Sequence, residues 1–453
     1  MIIVVEEKIR TRVLKEVDES RNEIIEFVEE LVRFKSVNQL LAINNKKTEE
    51  KECQEFVAKK LKEMGMKVEV WEHDPNELKK YGEKYSFNFR ETYKDRPQVV
   101  GILKGTGGGK SLILEGHIDV VPAEPRELWK HDPWKPEISD GKMYGRGTTD
   151  MKGGCGSIIH AIECIQRAGI NLRGNVQVHS TVDEEVANMG SLCVLDRGYT
   201  ADACVVAEPT YLDVQTKHKG ILWLKVDVEG RSGHAQIPVR HWTKGGAISA
   251  IDKAIYLIQG LERLNDEWSG HREKPPRPDK IDPDGLLSVP TINIDVIHGG
   301  TQPHIIPEEC YFRADIKYLP HERDKQNSGS IIQKEVENYL QRLFETDAWL
   351  RVNRPEIIWE SDAPAAETPF GHVFVKTMID SVKEIGQPGN MTGLVSCCDM
   401  SRYVNIGRIP TVIYGPGHMD QAHTVDEFIE LDQIIAATKG LAMIISRIYG
   451  HSS

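Results

Sequence analysis

The chain has 453 residues, with 57 Lys and Arg against 69 Asp and Glu and a formal net charge of −12. A composition of 40% hydrophobic and 28% charged residues fits a soluble globular protein of two or more domains and excludes disorder and collagen-like structure. The acid excess, with no dense Lys/Arg tract carrying interleaved aromatics, argues against nucleic acid as a partner, and no apolar run reaches the roughly 18–20 residues of a membrane helix.

Between Glu6 and Lys35 the residues Ile9, Val13, Val17, Ile24, Ile25, Val28, Leu31 and Val32 recur at helical spacing, which predicts one or two amphipathic helices. A second helix is predicted over Thr48–Met64, stopped by Gly65 and followed by the alternating strand Lys67–Val70. Strands are expected at Val99–Leu103, Ser111–Leu114, Asn175–Thr181 and Ala203–Ala207, with helices at Gly154–Gly169 and Gly190–Asp196 between them. That alternation predicts an α/β fold, a mixed but mostly parallel sheet covered by helices on both faces.

From Lys217 the pattern changes to an alternating strand (Leu222–Val228), a helix (Gly246–Leu264), a polar loop (Asp266–Asp284), two more strands and a helix (Ile331–Phe344). After Trp359 the α/β pattern returns with a helix at Phe370–Ile385 and a strand at Thr411–Tyr414, so an α+β module is inserted into the first domain.

The eight cysteines are scattered and form no CxxC pair, which fits a reduced cytoplasm, and the N-terminus lacks the basic stretch of an export signal. Gly105–Ser111 resembles a phosphate-binding loop but has Lys104 where the first glycine belongs and runs into a strand, so a hairpin turn is expected. Gly145-Arg146-Gly147 lacks both the third glycine and the leading strand of a dinucleotide fingerprint.

The chemistry lies in metal-type side chains just after predicted strands, the end of an α/β sheet where ligands bind. His117 and Asp119 sit two apart, so that the carboxylate can fix the imidazole tautomer. Asp150 lies in a glycine-rich turn opening a helix, where it suits either a bridging ligand or a helix N-cap. Asp183-Glu184-Glu185, Glu208 and His423 follow three further strands. Mixed nitrogen and oxygen donors without thiolates suit zinc, with cobalt or manganese as alternatives, and a surplus carboxylate points to metal-assisted hydrolysis.

Six segments carry a resemblance: Gly116–Pro122 (GHIDVVP), Tyr144–Gly154 (YGRGTTDMKGG), Asp183–Glu185, Ala207–Thr210 (AEPT), Gly230–Pro238 (GRSGHAQIP) and Gly415–Phe428 (GPG…AHTVDEF). In this order they resemble the acetylornithine deacetylase, succinyl-diaminopimelate desuccinylase, aminoacylase and glutamate carboxypeptidase family of dinuclear zinc hydrolases, from about Glu26 to the last helix. The resemblance implies two divalent metal ions, with Asp150 bridging them, Glu185 and His423 completing one site, and His117 and Glu208 the other. Asp119 would orient His117, and Glu184 would be the general base that takes a proton from the attacking water and returns it to the leaving amine. His234 would stabilise the oxyanion, in dimeric members from the partner subunit.

The resemblance further implies a zinc-exopeptidase-like catalytic domain over residues 1–216 and 361–453, and an inserted lid or dimerisation domain over 217–360 that makes a homodimer. Two departures bear on substrate. Many members read Asn-Val-Ile-Pro where this chain has His304-Ile305-Ile306-Pro307, and Asp-x-Arg where it has Asp315-Ile316-Lys317. Lysine lacks the bidentate fork that grips a carboxylate, which leaves Arg313 or Arg402 to compensate. The expectation is an amide hydrolase that deacylates a small amine or amino acid. A dipeptidase or carboxypeptidase, and a catalytically silent binding relative, are the alternatives.

Overall fold

Two sheets organise the chain in the computed structural model, which describes residues 7–43, 47–85, 91–236, 241–271 and 289–448. The larger has nine strands, and four adjacent ones form its parallel centre: Val176–Thr181, Leu112–His117, Ala203–Val206 and Thr411–Ile413. Antiparallel strands Gln98–Leu103 and Lys67–Trp71 extend one side. Val214–His218, Ala366–Glu367 and Met391–Leu394 extend the other.

Alternation along these strands explains why both faces are covered. Leu112, Leu114, Val205 and Val412 join a core shared with helices Arg21–Arg33, Gly153–Arg167 and Leu431–Ile448, whereas Ile113, Cys204, Val206 and Ile413 face the helix Met400–Asn405. Each fully buried aliphatic side chain of this kind contributes about 1.5–3 kcal/mol.

The smaller sheet is antiparallel, with strands in the order Thr291–Gly299, Glu309–Tyr318, Gly220–Glu229 and Glu356–Ala363. Its even-numbered residues Leu222, Leu224, Val226 and Val228 are buried under helices Ala250–His271 and Ser330–Thr346, and its odd-numbered residues form an open face. The chain passes between the two sheets at Lys219 and again at residues 364–365, a few residues after positions 216 and 360. The helix Ala250–His271 runs on into the expected polar loop, and the rest of that loop, residues 272–284, lies outside the described residues.

The expected hairpin at Gly105–Gly109 is corrected. Strands Gln98–Leu103 and Leu112–His117 do not pair with each other but flank Val176–Thr181 on opposite sides. The glycines carry the chain over the start of that strand, where a Cβ on Gly105 would come within 2.3 Å of the Gly174 carbonyl.

Candidate metal centre

Because the four central strands run in one direction, their C-terminal ends deliver His117, the Asp183–Glu185 turn, Glu208 and the loop carrying His423 to one edge of the sheet. Asp150 arrives from the crossover between Leu112–His117 and Val176–Thr181, at the entry of the helix Gly153–Arg167. That entry needs glycine, since a Cβ on Gly154 would lie 2.1 Å from the Ala207 carbonyl at the end of a central strand. Gly147, at φ +82°, turns the chain where a side chain would strike Val120.

The Asp150 carboxylate lies between two imidazoles. Its Oδ1 is 3.2 Å from His117 Nε2 and its Oδ2 is 3.4 Å from His423 Nε2. Glu208 Oε1 stands 3.6 Å from His117 Nε2, and Glu185 Oε2 stands 2.9 Å from His423 Nε2. Tetrahedral donors at about 2.0–2.1 Å from a zinc ion sit roughly 3.3–3.4 Å from one another, so this donor set fits two ions that share Asp150. Glu185 Oε1 is buried without a hydrogen-bond partner, as a ligand oxygen lacking its cation would be. The Nδ1 of His117 donates to the Asp119 carbonyl oxygen at 2.9 Å, which makes Nε2 the nitrogen turned toward Asp150 and the one a cation would take.

Crowding governs the protonation of the cluster. Burial pushes Glu184 and Glu208 well above the usual carboxylate range, and burial with the neighbouring Asp150 charge pushes Glu185 up to about 7. Hydrogen bonds to Asp150 and Glu185 hold His423 up at about 11. Burial opposes a proton on His117, but Asp150, Glu208 and Glu184 together raise it well above the ordinary histidine value. The same two imidazoles hold Asp150 low against its burial.

Glu184 opens a single helical turn, Glu184–Ala187, with its Oε2 4.0 Å from His117 Nε2 and its Oε1 accepting from Asn188 Nδ2 at 2.5 Å. Asp119 orients His117 through its backbone, because its carboxylate is 3.6 Å from Nδ1 and receives instead the N–H groups of Glu184 and Glu185 at 3.2 and 3.3 Å. Of the other residues expected at the site, Arg402 alone lines the cleft, and its Nε donates to the Asn188 carbonyl. Lys317 sits on the open face of the smaller sheet beside Ile221, paired with Asp315 at 2.9 Å. Arg313 makes a two-pronged pair with Glu360. His234 and His304 lie on an exposed ribbon, Gly233–His234 against Ile305–Ile306, and neither lines this cleft.

Several supporting residues escaped sequence reasoning. Glu427 is fully buried and accepts from the Arg146 guanidinium at 2.5 Å and from the N–H groups of Gly147, Thr149 and Asp150 at 3.1, 2.9 and 3.2 Å. It therefore anchors the turn that presents Asp150, and its place in AHTVDEF was the available signal. A separate triad, His73, Glu77 and Asp196, could in principle hold metal. There the Trp71 indole donates to His73 Nδ1, which leaves the proton on Nε2, and Lys80 and Tyr81 already engage Asp196, so it reads as an ion-pair cluster.

Residues 113–447 match the model of Peptidase family M20/M25/M40. The chain belongs to this family. Among M20 relatives, an N-formyl-4-amino-5-aminomethyl-2-methylpyrimidine deformylase from Bacillus subtilis is 30% identical over 441 residues, 94% of each chain. An acetylornithine deacetylase from Photorhabdus laumondii is 30% identical over 392 residues, 86% of this chain and 88% of its own. A di-peptidase from Saccharomyces cerevisiae shares the M20 fold at TM-score 0.73, covering 97% of this chain and 98% of its own at 14% identity. The chain is thus a metal-dependent amide hydrolase of the M20 family, a deacylase or peptidase.

Proposed function

We propose that the chain is a dimetal deacylase that removes a small acyl group, formyl foremost, from a small amine lacking an α-carboxylate. The observation that carries this reading is Asp150 offering one oxygen to each of two imidazoles, with Glu184 left over beside them. Asp150 would be shared, His117 and Glu208 would complete one site, and Glu185 and His423 the other. Zinc suits these donors, and cobalt or manganese can use the same set.

When bound, the two ions lower the pKa of the attacking water and polarise the substrate carbonyl. Glu184, held by Asn188, takes the proton of that water and returns it to the amine nitrogen as the C–N bond breaks, so the acyl group leaves as a carboxylate. A binding protein has no use for such a spare base.

Substrate selection rests on the cleft wall. Lys317 and Arg313 are spent on Asp315 and Glu360, so neither offers a free fork to a carboxylate. Trp223, 40% exposed on the open face of the smaller sheet, presents a flat apolar surface into a cleft of about 180 Å³. A flat, carboxylate-free amine fits these features, and the Bacillus subtilis relative is named for the deformylation of an aminomethylpyrimidine. Arg402 in the same cleft favours the second reading, a dipeptidase.

We further place the chain in a reducing cytoplasm, to which its eight free thiols are suited. The module that follows residue 216 and ends near 360 acts in this reading as a lid and homodimer contact, and carries His234 to the partner's cleft to stabilise the oxyanion. The exposure of His234 outside its own cleft supports that arrangement.

The test is hydrolysis of N-formyl, N-acetyl and N-succinyl amines, matched amino acids and dipeptides by wild type and Glu184→Gln, with metal content measured on both. About two metals per chain in each, fastest turnover of a carboxylate-free N-formyl amine, and a loss of about 10²–10⁴-fold in the variant are expected. Preferential turnover of dipeptides, or full activity of Glu184→Gln, would refute the reading.

A further inference from the structure

We propose that Asn38 is a positioning residue for Glu184, holding the turn that carries the base and the strand end that carries His117 in one register. The inference rests on Glu184 as the base.

Asn38 belongs to a segment pinned before its side chain is considered. Residues 36–38 run beside residues 118–120 as a short parallel bridge. Val120 N donates to the Ser36 carbonyl at 3.0 Å, Asn38 N donates to the Val120 carbonyl at 2.9 Å, and Ser36 Oγ donates to the Ile118 carbonyl at 2.5 Å. The amide that this backbone delivers is fully buried and fully used. Nδ2 donates to Asp119 Oδ2 at 2.7 Å and to Asp183 Oδ1 at 3.1 Å, while Oδ1 accepts from Leu40 N at 3.1 Å.

Those two carboxylates hold Glu184 from both sides. Asp119 receives the N–H groups of Glu184 and Glu185 while its carbonyl orients His117. Asp183 immediately precedes the base in a left-handed conformation, φ +74°, and is held further by Tyr93 at 3.1 Å and Arg96 at 3.4 Å. Arg96 is in turn fixed on Glu50 by two bonds of 2.8 Å.

Arg96 offsets part of the charge on Asp183, but two buried acids this close still repel each other unless a donor bonds both, and the Asn38 amide is the group that ties Asp183 to Asp119. An amide supplies two hydrogens and no charge, which is the chemistry this junction needs. Without it the acids part, and the turn that begins at Asp183 moves with them. A displacement of about 1 Å at a catalytic group costs on the order of 100-fold. The effect falls chiefly on the base, because the ligand His117 keeps its carbonyl partner and Glu185, which shares the turn, is held at its carboxylate end beside His423.

The experiment compares Asn38→Ala, Asn38→Ser and Asn38→Ala/Asp183→Asn with wild type in the metal-loaded enzyme, on the fastest substrate of the panel above. Asn38→Ala is expected to lower kcat about 100-fold with KM changed less than about threefold and with wild-type metal content. Asn38→Ser, which keeps one donor, is expected to lose about tenfold, and serves if the alanine variant does not fold. The double variant removes the facing charge and supplies an amide at residue 183, and is expected to regain at least about tenfold over Asn38→Ala. Wild-type kcat in Asn38→Ala, a loss that follows metal content or KM, or no recovery in the double variant overturns the proposal. Glu184→Gln separates two failures. If it is inactive while Asn38→Ala is fully active, the positioning role alone falls, whereas an active Glu184→Gln removes the base on which that role depends.

Discussion

Replacing Glu427 by glutamine tests whether the turn presenting Asp150 is held from beneath. In the native protein its two oxygens accept four bonds, one from Arg146 and three from the N–H groups of Gly147, Thr149 and Asp150. Glutamine keeps one acceptor oxygen and turns an N–H₂ toward the donors of the other. If the amide oxygen stays with Thr149 and Asp150, Arg146 and Gly147 face a donor, and the buried guanidinium loses its counter-charge. Bonds to charged groups contribute roughly 1.5–3 kcal/mol each, and removing one partner of a buried pair costs about 3–5 kcal/mol. We expect a loss of about 3–5 kcal/mol, equivalent to about 6–10 °C in thermal midpoint at roughly 2 °C per kcal/mol for a large domain. Metal affinity is expected to fall about 10–100-fold as the Asp150 turn loosens. The assays are a melting curve on metal-free protein and competition for zinc against a chromophoric chelator. A midpoint within about 1 °C of wild type together with unchanged zinc affinity would refute the reasoning.

Arg402→Ala should raise KM for dipeptides and N-acyl amino acids while leaving carboxylate-free N-formyl amines within about twofold, if the guanidinium acts only as a carboxylate partner. Equal loss on both substrate classes would show that it acts through Asn188 instead. Chelation should abolish activity, and zinc, cobalt or manganese should restore it. Because Glu185 is held at about 7 and His423 at about 11 without cations, metal uptake at pH 7 should release protons, read as binding heats that vary with the buffer's ionisation enthalpy. Heats independent of buffer would contradict this. Burial pushes His179 down to about 3 and His218 to about 4, so the unfolded chain binds the extra protons. Stability is then full above about 6.5 and falls as pH drops toward 4, by about 2 kcal/mol per residue at pH 5. In urea titrations His179→Gln should flatten that dependence, and an unchanged slope would refute it.

The parts of the fold that could be read from sequence are those whose information is local. Helices Glu7–Glu19, Arg21–Arg33 and Gly153–Arg167 announce themselves by an apolar stripe, and the central strands by short apolar runs. The candidate metal donors could be picked out because His117, Glu185, Glu208 and His423 lie at or beyond the ends of their own central strands and Asp150 sits in a glycine-rich turn that opens a helix. Their assignment to two sites sharing Asp150 came from the family resemblance. The helix Pro75–Tyr85 has just Leu78, Tyr81 and Tyr85 as large apolar residues in a charged sequence, too short a stripe to stand out, and the strands Ala366–Glu367 and Met391–Leu394 are too brief to show an alternation and depend on tertiary pairing. The supports of the site were illegible for another reason. Asn38 meets Asp119 across 81 positions and Glu427 meets Arg146 across 281, and nothing in either residue's neighbours encodes its partner.

The alternation in Gly220–Glu229 has an evolutionary consequence. Its even residues secure the helices above, and two of its odd ones, Ile221 and Trp223, face the reaction cleft. Ser361 and Ala363 on the neighbouring strand join them there. In the proposed reading, selectivity lies on a surface that neither core depends on, while the candidate metal donors belong to a different sheet. On that reading, exchanges at these four positions would shift the enzyme from one amide to another with little penalty in folding or in metal loading, and diversification would be open to it without passing through an unstable ancestor.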